Sequence, residues 1–176
     1  EAVLERKIYK KKEIGKVLED TITKDLVFFA EKFKHSYNFD IASVHPTKGN
    51  KIDILLSYAL GLGFERRIGI ECKVLEDNLR NDYYVNGGIK RFITGYYSEE
   101  MPLAGMIGYV AKGVISEILE DINRRVDKKT AYQILIKEKI LEEVYHTYLS
   151  IHHRKKDLGN ISLYHMFLDF NKIIVM

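Results

Sequence analysis

Glu71 and Lys73 stand two residues apart in residues 66–75, RRIGIECKVL, with the chain's single cysteine, Cys72, between them. The run is β-branched and apolar, and a lone charge in such a setting is costly, so these charges are either paired or used. A strand sends alternate side chains to opposite faces. Ile68, Ile70, Cys72 and Val74 therefore share one face, and Gly69, Glu71 and Lys73 share the other. Cys72 reads as core packing, the usual place of a free cysteine. The preceding run, KIDILLSYAL, divides the same way, with Ile52, Ile54 and Leu56 on one side and Asp53 and Leu55 on the other. Pairing of the two runs through the Gly-Leu-Gly connection would bring Asp53 beside Glu71.

Two carboxylates and a lysine converging on a strand make a site for a hard cation. Mg²⁺ takes oxygen ligands and commonly uses one or two carboxylates, leaving room for waters and a phosphate. Bound there it would polarise a phosphoryl oxygen and acidify a water. The lysine would hold or deprotonate that water and offset charge growing on the phosphorus centre. Taken alone, Glu71 and Lys73 could equally form a surface ion pair of small worth. Asp53, on a strand of its own, argues for the site.

The elements that must position these residues can be read from periodicity. Residues 3–36 read as helix, with Ile14, Val17, Leu18, Ile22, Leu26, Phe29 and Phe33 at three- and four-residue spacing and Gly15 interrupting early. FDIASV is a short strand, HPTKGN a turn, and KIDILLSYAL and RRIGIECKVL two further strands. Residues 78–98 read as a loop entering a helix, with Gly87 and Gly88 obscuring its start. MPLAGMIGYVA is a fourth strand, and VISEILEDINRRV an amphipathic helix with Ile115, Ile118, Leu119 and Ile122 on one face. AYQILIKEKILEEVY fits helix or strand. The tail, YHTYLSIHHRK to ISLYHMFLDF, reads as a hairpin around a Gly-Asn turn. Such a mixed order predicts an α/β or α+β domain around one sheet.

Asp53, seventeen intervening residues, then Glu71-Cys72-Lys73, framed as helix–strand–strand–strand–helix–strand, resembles the PD-(D/E)xK nuclease superfamily. The resemblance covers residues from about 10 to 111, and it departs where Ile52 stands in place of the motif's proline. It implies a restriction-endonuclease-like α/β fold: an αβββαβ core with a mixed central sheet, extended by C-terminal helices and the hairpin. Residues 1–176 would form one nuclease domain, with residues from about 112 onward as the extension. Gly15 through Glu19 is similar to the Gly-x-x-x-Glu pattern of Holliday-junction-resolvase-like members, which adds Glu19 to the metal carboxylates. The resemblance implies Asp53, Glu71, Glu19 and the Cys72 backbone carbonyl as ligands to Mg²⁺, with Mn²⁺ able to substitute, and Lys73 as the residue that activates water. It also implies phosphate contacts from the following helix, where Lys90, Arg91 and Tyr84 stand. The activity implied is endonucleolytic hydrolysis of DNA, leaving a 5′-phosphate. A diffuse likeness to nuclease components of bacterial antiphage systems implies work in defence, as a homodimer or within a larger complex. A non-catalytic nucleic-acid-binding or assembly module and a ribonuclease are the alternatives.

Composition is compatible with this. The net charge of +3 permits nucleic-acid binding without demanding it. Basic residues gather at Arg6 to Lys16, at Lys90 and Arg91, and at His152 to Lys156. No apolar run is long enough to span a bilayer and the N-terminus is charged, so a cytoplasmic protein is expected, and one cysteine excludes an intrachain disulfide. In the tail Tyr148, Ser150, His152 and Arg154 alternate onto one face, and His152 and Arg154 become candidate phosphate contacts; a core role for His165 and a solvated hairpin for His152 and His153 is the competing reading. No paired Cys/His spacing supports zinc. The tyrosine pairs Tyr83–Tyr84 and Tyr96–Tyr97 could stack on bases or simply pack.

Overall fold

The apolar runs pair into one mixed sheet. The computed structural model describes residues 9–10, 16–47, 50–61, 64–97, 101–129, 132–139, 146–154, 158–171 and 174–175. In chain order the elements are β1 (Tyr9–Lys10), α1 (Lys16–Glu31), α2 (Lys34–Tyr37), β2 (Asp40–Thr47), β3 (Asn50–Gly61), β4 (Phe64–Leu75) and α3 (Asn78–Tyr83). A π-helical turn (Tyr84–Ile89) leads into α4 (Lys90–Ile93), β5 (Leu103–Val110) and α5 (Ile115–Asp127). β6 (Ile136–Lys137), β7 (Thr147–His153), β8 (Asn160–Asp169) and β9 (Ile174–Val175) complete the chain. The sheet order is β2-β3-β4-β5-β8-β7-β6. β2, β3 and β4 form an antiparallel meander, β4, β5 and β8 are parallel neighbours, and β7 and β6 return antiparallel. The molecule is thus α/β, with a seven-stranded mixed sheet.

Apolar side chains fill both faces of that sheet. On one face Leu18, Ile22 and Val27 of α1 pack with Ile54, Cys72, Val74, Ile107, Tyr109 and Phe170. On the other the π turn, α4 and α5 bring Val85, Ile89, Phe92, Ile118 and Ile122 against Leu75, Met106, Val110 and Phe167. A polar lattice ties the α3 and π-turn segment to α5: Asn81 donates to Asp121 at 2.9 Å, Arg125 to Asp82 at 3.2 Å, and Lys129 to Asn86 at 2.8 Å.

Several boundaries differ from the sequence reading. Tyr9 and Lys10, expected in a helix, form a strand parallel to β9. β2 runs through Pro46 into the expected turn, which an edge strand tolerates because its outer side needs no amide donor. Residues 78 onward are helical at once, because the Asp77 carboxylate caps α3 by accepting the Arg80 N–H at 2.8 Å. Of the ambiguous stretch, residues 132–139 hold only the short β6 and residues 140–145 lie outside the described residues. The expected C-terminal helices reduce to α5 among the described residues. The hairpin forms as expected, from β7 and β8, but β8 sits beside β5 in the interior of the sheet.

Candidate metal centre

The site lies where β3 parts from β4. Their recorded pairing runs only as far as Ile54 opposite Ile70, while β4 continues to Leu75 on the arm of β5. Beyond Ile70, backbone groups of β4 on the β3 side need other partners. The Cys72 N–H donates to Asp53 Oδ2 at 2.8 Å, and the Val74 N–H donates to Glu19 Oε2 at 3.2 Å. Carboxylates from β3 and α1 therefore stand in for a neighbouring strand, and that is what draws them to one point. Ile52 departs from the expected alternation. It packs with Leu55 in the cluster that holds the π turn, not with Ile54, and lies over Gly69.

Lys73 fills the middle of this arrangement. Its Nζ donates to Glu71 Oε1 at 2.6 Å, to the Cys72 carbonyl at 2.8 Å and to Glu19 Oε1 at 3.3 Å, with Asp53 Oδ2 at 3.9 Å. The ammonium thus sits among the very oxygen atoms expected to hold a cation. Glu71 is 2% exposed, and its Oε2 is buried with no hydrogen-bond partner. Burial pushes the Glu71 carboxyl up to about 7, against the pull of Lys73 and with a further push from Asp53. Burial works against the charge on Lys73, but Glu71, Glu19 and Asp53 outweigh it and its pKa rises. Burial also drives the Cys72 thiol up to about 12, so this residue offers its backbone and not a thiolate.

An open cleft of about 410 Å³ exposes the centre, lined by Glu19, Asp20, Lys51, Asp53, Glu71, Lys73, Arg80, Tyr83, Gly87 and Arg91. Carboxylate oxygens of Glu19, Asp20 and Asp53 all fall within 4.8 Å of one another. An all-oxygen donor set with an orphaned carboxylate oxygen beside it fits a hard cation of the Mg²⁺ or Ca²⁺ type and suits neither zinc nor a soft metal.

Asp53, Glu71, Lys73 and Glu19, predicted from different segments, are brought together here; Gly15 of the Gly-x-x-x-Glu pattern lies outside the described residues. Arg91 reaches the cleft, with Nη1 3.7 Å from Glu71 Oε1 and donating to the Tyr97 hydroxyl at 2.7 Å. Lys90 is exposed on α4 but does not line the cleft. Three expected phosphate contacts are corrected. Tyr84, His152 and Arg154 are buried and face the interior. Tyr84 and His152 belong to one hydrogen-bonded chain with Ser150 and His165. The Gln133 N–H donates to His152 Nδ1 at 3.1 Å, so His152 carries its proton on Nε2 and donates to Ser150 Oγ at 2.7 Å. Ser150 Oγ also lies 2.7 Å from His165 Nε2, and His165 Nδ1 lies 3.0 Å from the Tyr84 hydroxyl, so a neutral His165 offers one N–H and one bare nitrogen to these two hydroxyls. Lys155 and Lys156 of the basic tail cluster, and Arg6, Lys7, Lys11 and Lys12 of the basic N-terminal run, lie outside the described residues.

Sequence reasoning missed Asp20, Lys51 and Arg80. Each had a signal: Asp20 adjoins Glu19 on α1, Lys51 is two residues from Asp53 on the same strand, and Arg80, Tyr83 and Gly87 share one helical face.

Comparison with protein-family models, with curated proteins and with solved structures finds no match. Among the described residues no helix is long and apolar enough to cross a membrane.

Proposed function

We propose that this chain is a Mg²⁺-dependent endonuclease that hydrolyses phosphodiester bonds of DNA, on a restriction-endonuclease-like core of the PD-(D/E)xK kind. One observation carries the reading. Asp53, Glu71, Lys73 and Glu19, from β3, β4 and α1, meet in one open cleft, with the Lys73 ammonium held by carboxylate and carbonyl oxygens. The order of α1, three antiparallel strands, a helical segment and a parallel strand is the framework that such a site requires.

Asp53, Glu71, Glu19 and the Cys72 carbonyl would hold the cation, and Asp20 adds a further carboxylate. The bound ion would polarise the phosphoryl oxygen and acidify a water. Lys73 has two roles that its surroundings select between. Facing three carboxylates it stays an ammonium, a donor suited to charge building on the phosphorane. A cation engaging those carboxylates would weaken their hold on the ammonium, and burial, which already opposes the charge, would then favour neutral Lys73 as a base. Arg91 presents a guanidinium to the phosphate from the cleft edge.

The test is incubation of purified protein with supercoiled DNA, linear DNA and RNA, in Mg²⁺ or EDTA, beside Lys73→Ala. Mg²⁺-dependent cutting of DNA, abolished by Lys73→Ala and by EDTA, is expected. Equal cutting by wild type and variant rejects the assignment, cutting of RNA alone makes the protein a ribonuclease, and no cutting of any substrate returns it to a binding module.

A further inference from the structure

Tyr83 and Tyr84 are chain neighbours with opposite fates: Tyr84 is fully buried at 0% exposure, whereas Tyr83 is 51% exposed at the rim of the cleft. A half-exposed tyrosine is ordinary on a protein surface; what sets Tyr83 apart is that it lines the charged cleft beside Lys73, Arg80 and Arg91. Gly87, one helical turn on, supplies the geometry. A methyl group at Gly87 would lie 3.8 Å from the Tyr83 ring and 4.0 Å from Lys73 Cε, so a single side chain's width separates the two. Glycine leaves that width open. The ring therefore faces the same space that the phosphate-handling groups face.

Charge narrows the choice of occupant. The lining holds four acids, Glu19, Asp20, Asp53 and Glu71, and four bases, Lys51, Lys73, Arg80 and Arg91. The cleft is close to neutral as it stands, so it does not capture a rigid polyanion by charge alone. A ligand must gain something from the ring as well. A nucleotide joins a phosphate to a flat π-face at this scale, and base–aromatic stacking is indifferent to sequence.

From this, and resting on the nuclease reading, we infer that Tyr83 stacks on an unpaired base beside the scissile phosphate. The substrate is nucleic acid that is single-stranded at the cut: a free strand, a flap, a bulge or a frayed end. Inside an intact duplex both faces of each base are already stacked, and freeing one carries an unpairing cost. Lys51 on the β3 side and Arg80 on the α3 side take the flanking phosphates, and Gly87 keeps the passage from ring to Lys73 clear.

The chain contains no tryptophan, so Tyr83→Trp creates a single reporter at the proposed stacking position. With EDTA present, a fluorescent oligothymidylate and a blunt duplex of equal length are titrated onto this variant, wild type, Tyr83→Phe and Tyr83→Ala. The expected result is quenching of the new tryptophan by the single strand and not by the duplex. Tyr83→Ala should weaken single-strand affinity about tenfold, within the range of one lost stack, and Tyr83→Phe should retain it. Equal affinity of Tyr83→Ala and wild type, equal quenching by the duplex, or no binding of either probe overturns the inference. Adding Mg²⁺ separates it from the nuclease reading. Equal cutting of blunt duplex and single strand, unchanged in Tyr83→Ala, removes the stacking role and leaves the nuclease, whereas stacking without cutting of any substrate removes the nuclease and leaves a single-strand-binding cleft.

Discussion

Lys73 directs its three N–H donors at three oxygens, on Glu71, Cys72 and Glu19, so in the cation-free protein it is the counter-charge that lets those carboxylates share a partly buried site. Removing one partner of a buried ionic group costs about 3–5 kcal/mol, because the remaining charge is left uncompensated. Lys73 is only 12% exposed, so Lys73→Ala should lose about 3 kcal/mol in urea unfolding with EDTA present. Mg²⁺ should return most of that loss, by binding the folded state alone, and should stabilise the variant more than the wild type. Identical Mg²⁺ responses would argue against the cation site. Gly69 makes a second residue-scale case. A Cβ there would stand 2.2 Å from Ile52 Cδ1, and overpacking of this kind costs about 1–3 kcal/mol. Gly69→Ala should destabilise, and Ile52→Val, which removes that methyl, should recover part of the loss in a double-mutant cycle. Asp53, Glu71 and Lys73 were legible in the sequence because strand alternation exposes a charged residue set among apolar ones, whereas Glu19 came only from the likeness of Gly15 through Glu19 to a family pattern. Tyr84, His152 and Arg154 were misread because residue type reports what a side chain can bind but not how deeply it is buried. The turn of Ile52 onto the Gly69 side was illegible, since it depends on where β3 stops pairing, a property of two strands together.

At the scale of elements, the cleft wall is set by contacts that run behind it. The π turn carries Gly87 and Gly88 across Lys73 and Glu71, and its first residue, Tyr84, is tied to β8 and β7 through His165, Ser150 and His152. Each histidine needs one bare nitrogen as acceptor in that chain, so protonating either breaks it. Burial lowers His152 to about 4 and His165 to about 3, the latter also opposed by His152. Both values lie below the ordinary histidine range near 6.5, so from there down to pH 4 the unfolded chain binds protons that the native state refuses. The histidine contribution to stability is therefore full above that range and falls as pH drops, by about 1.4 kcal/mol per pH unit for each histidine, opposed over the same window by Glu71, whose raised carboxyl takes up one proton in the native state. Urea unfolding between pH 7 and pH 5 should show this loss, and a His165→Gln variant should show a slope shallower by about one proton. An unchanged slope would mean that the native chain accepts the proton. Helix and strand identities were largely legible from period, and α5 and the hairpin fell close to their expected places. The π turn was not, because the glycine pair that permits it reads in sequence only as a weak helix start.

Over the whole molecule, the hairpin of the expected C-terminal extension joins the same seven-stranded sheet as the strands of the core. β8 pairs with β5 from Leu103 opposite Ser162 to Val110 opposite Asp169, and Phe167 and Leu163 enter the main core. A chain ending after His153 loses that strand and exposes the interior edge of β5. Such a truncation should not merely lack a hairpin; it should lose cooperative thermal unfolding, as followed by circular dichroism. Retention of a sharp transition would restore the idea of an appendage. Sequence order alone could not reveal this placement, because non-consecutive strand neighbours are chosen by the packing of the finished sheet. The same neighbour relation sets a clock on synthesis. While the polypeptide leaves the ribosome, β4 and β5 can pair, but one side of β5 stays an open apolar edge until the hairpin has been made. The nascent chain therefore passes through an interval in which the acidic cleft residues are all present, the sheet that aligns them is incomplete, and the exposed edge is most open to wrong pairing. Occupancy by holdase chaperones should peak in that interval and fall once β8 docks, so the last long strand to be translated releases the molecule from its escort.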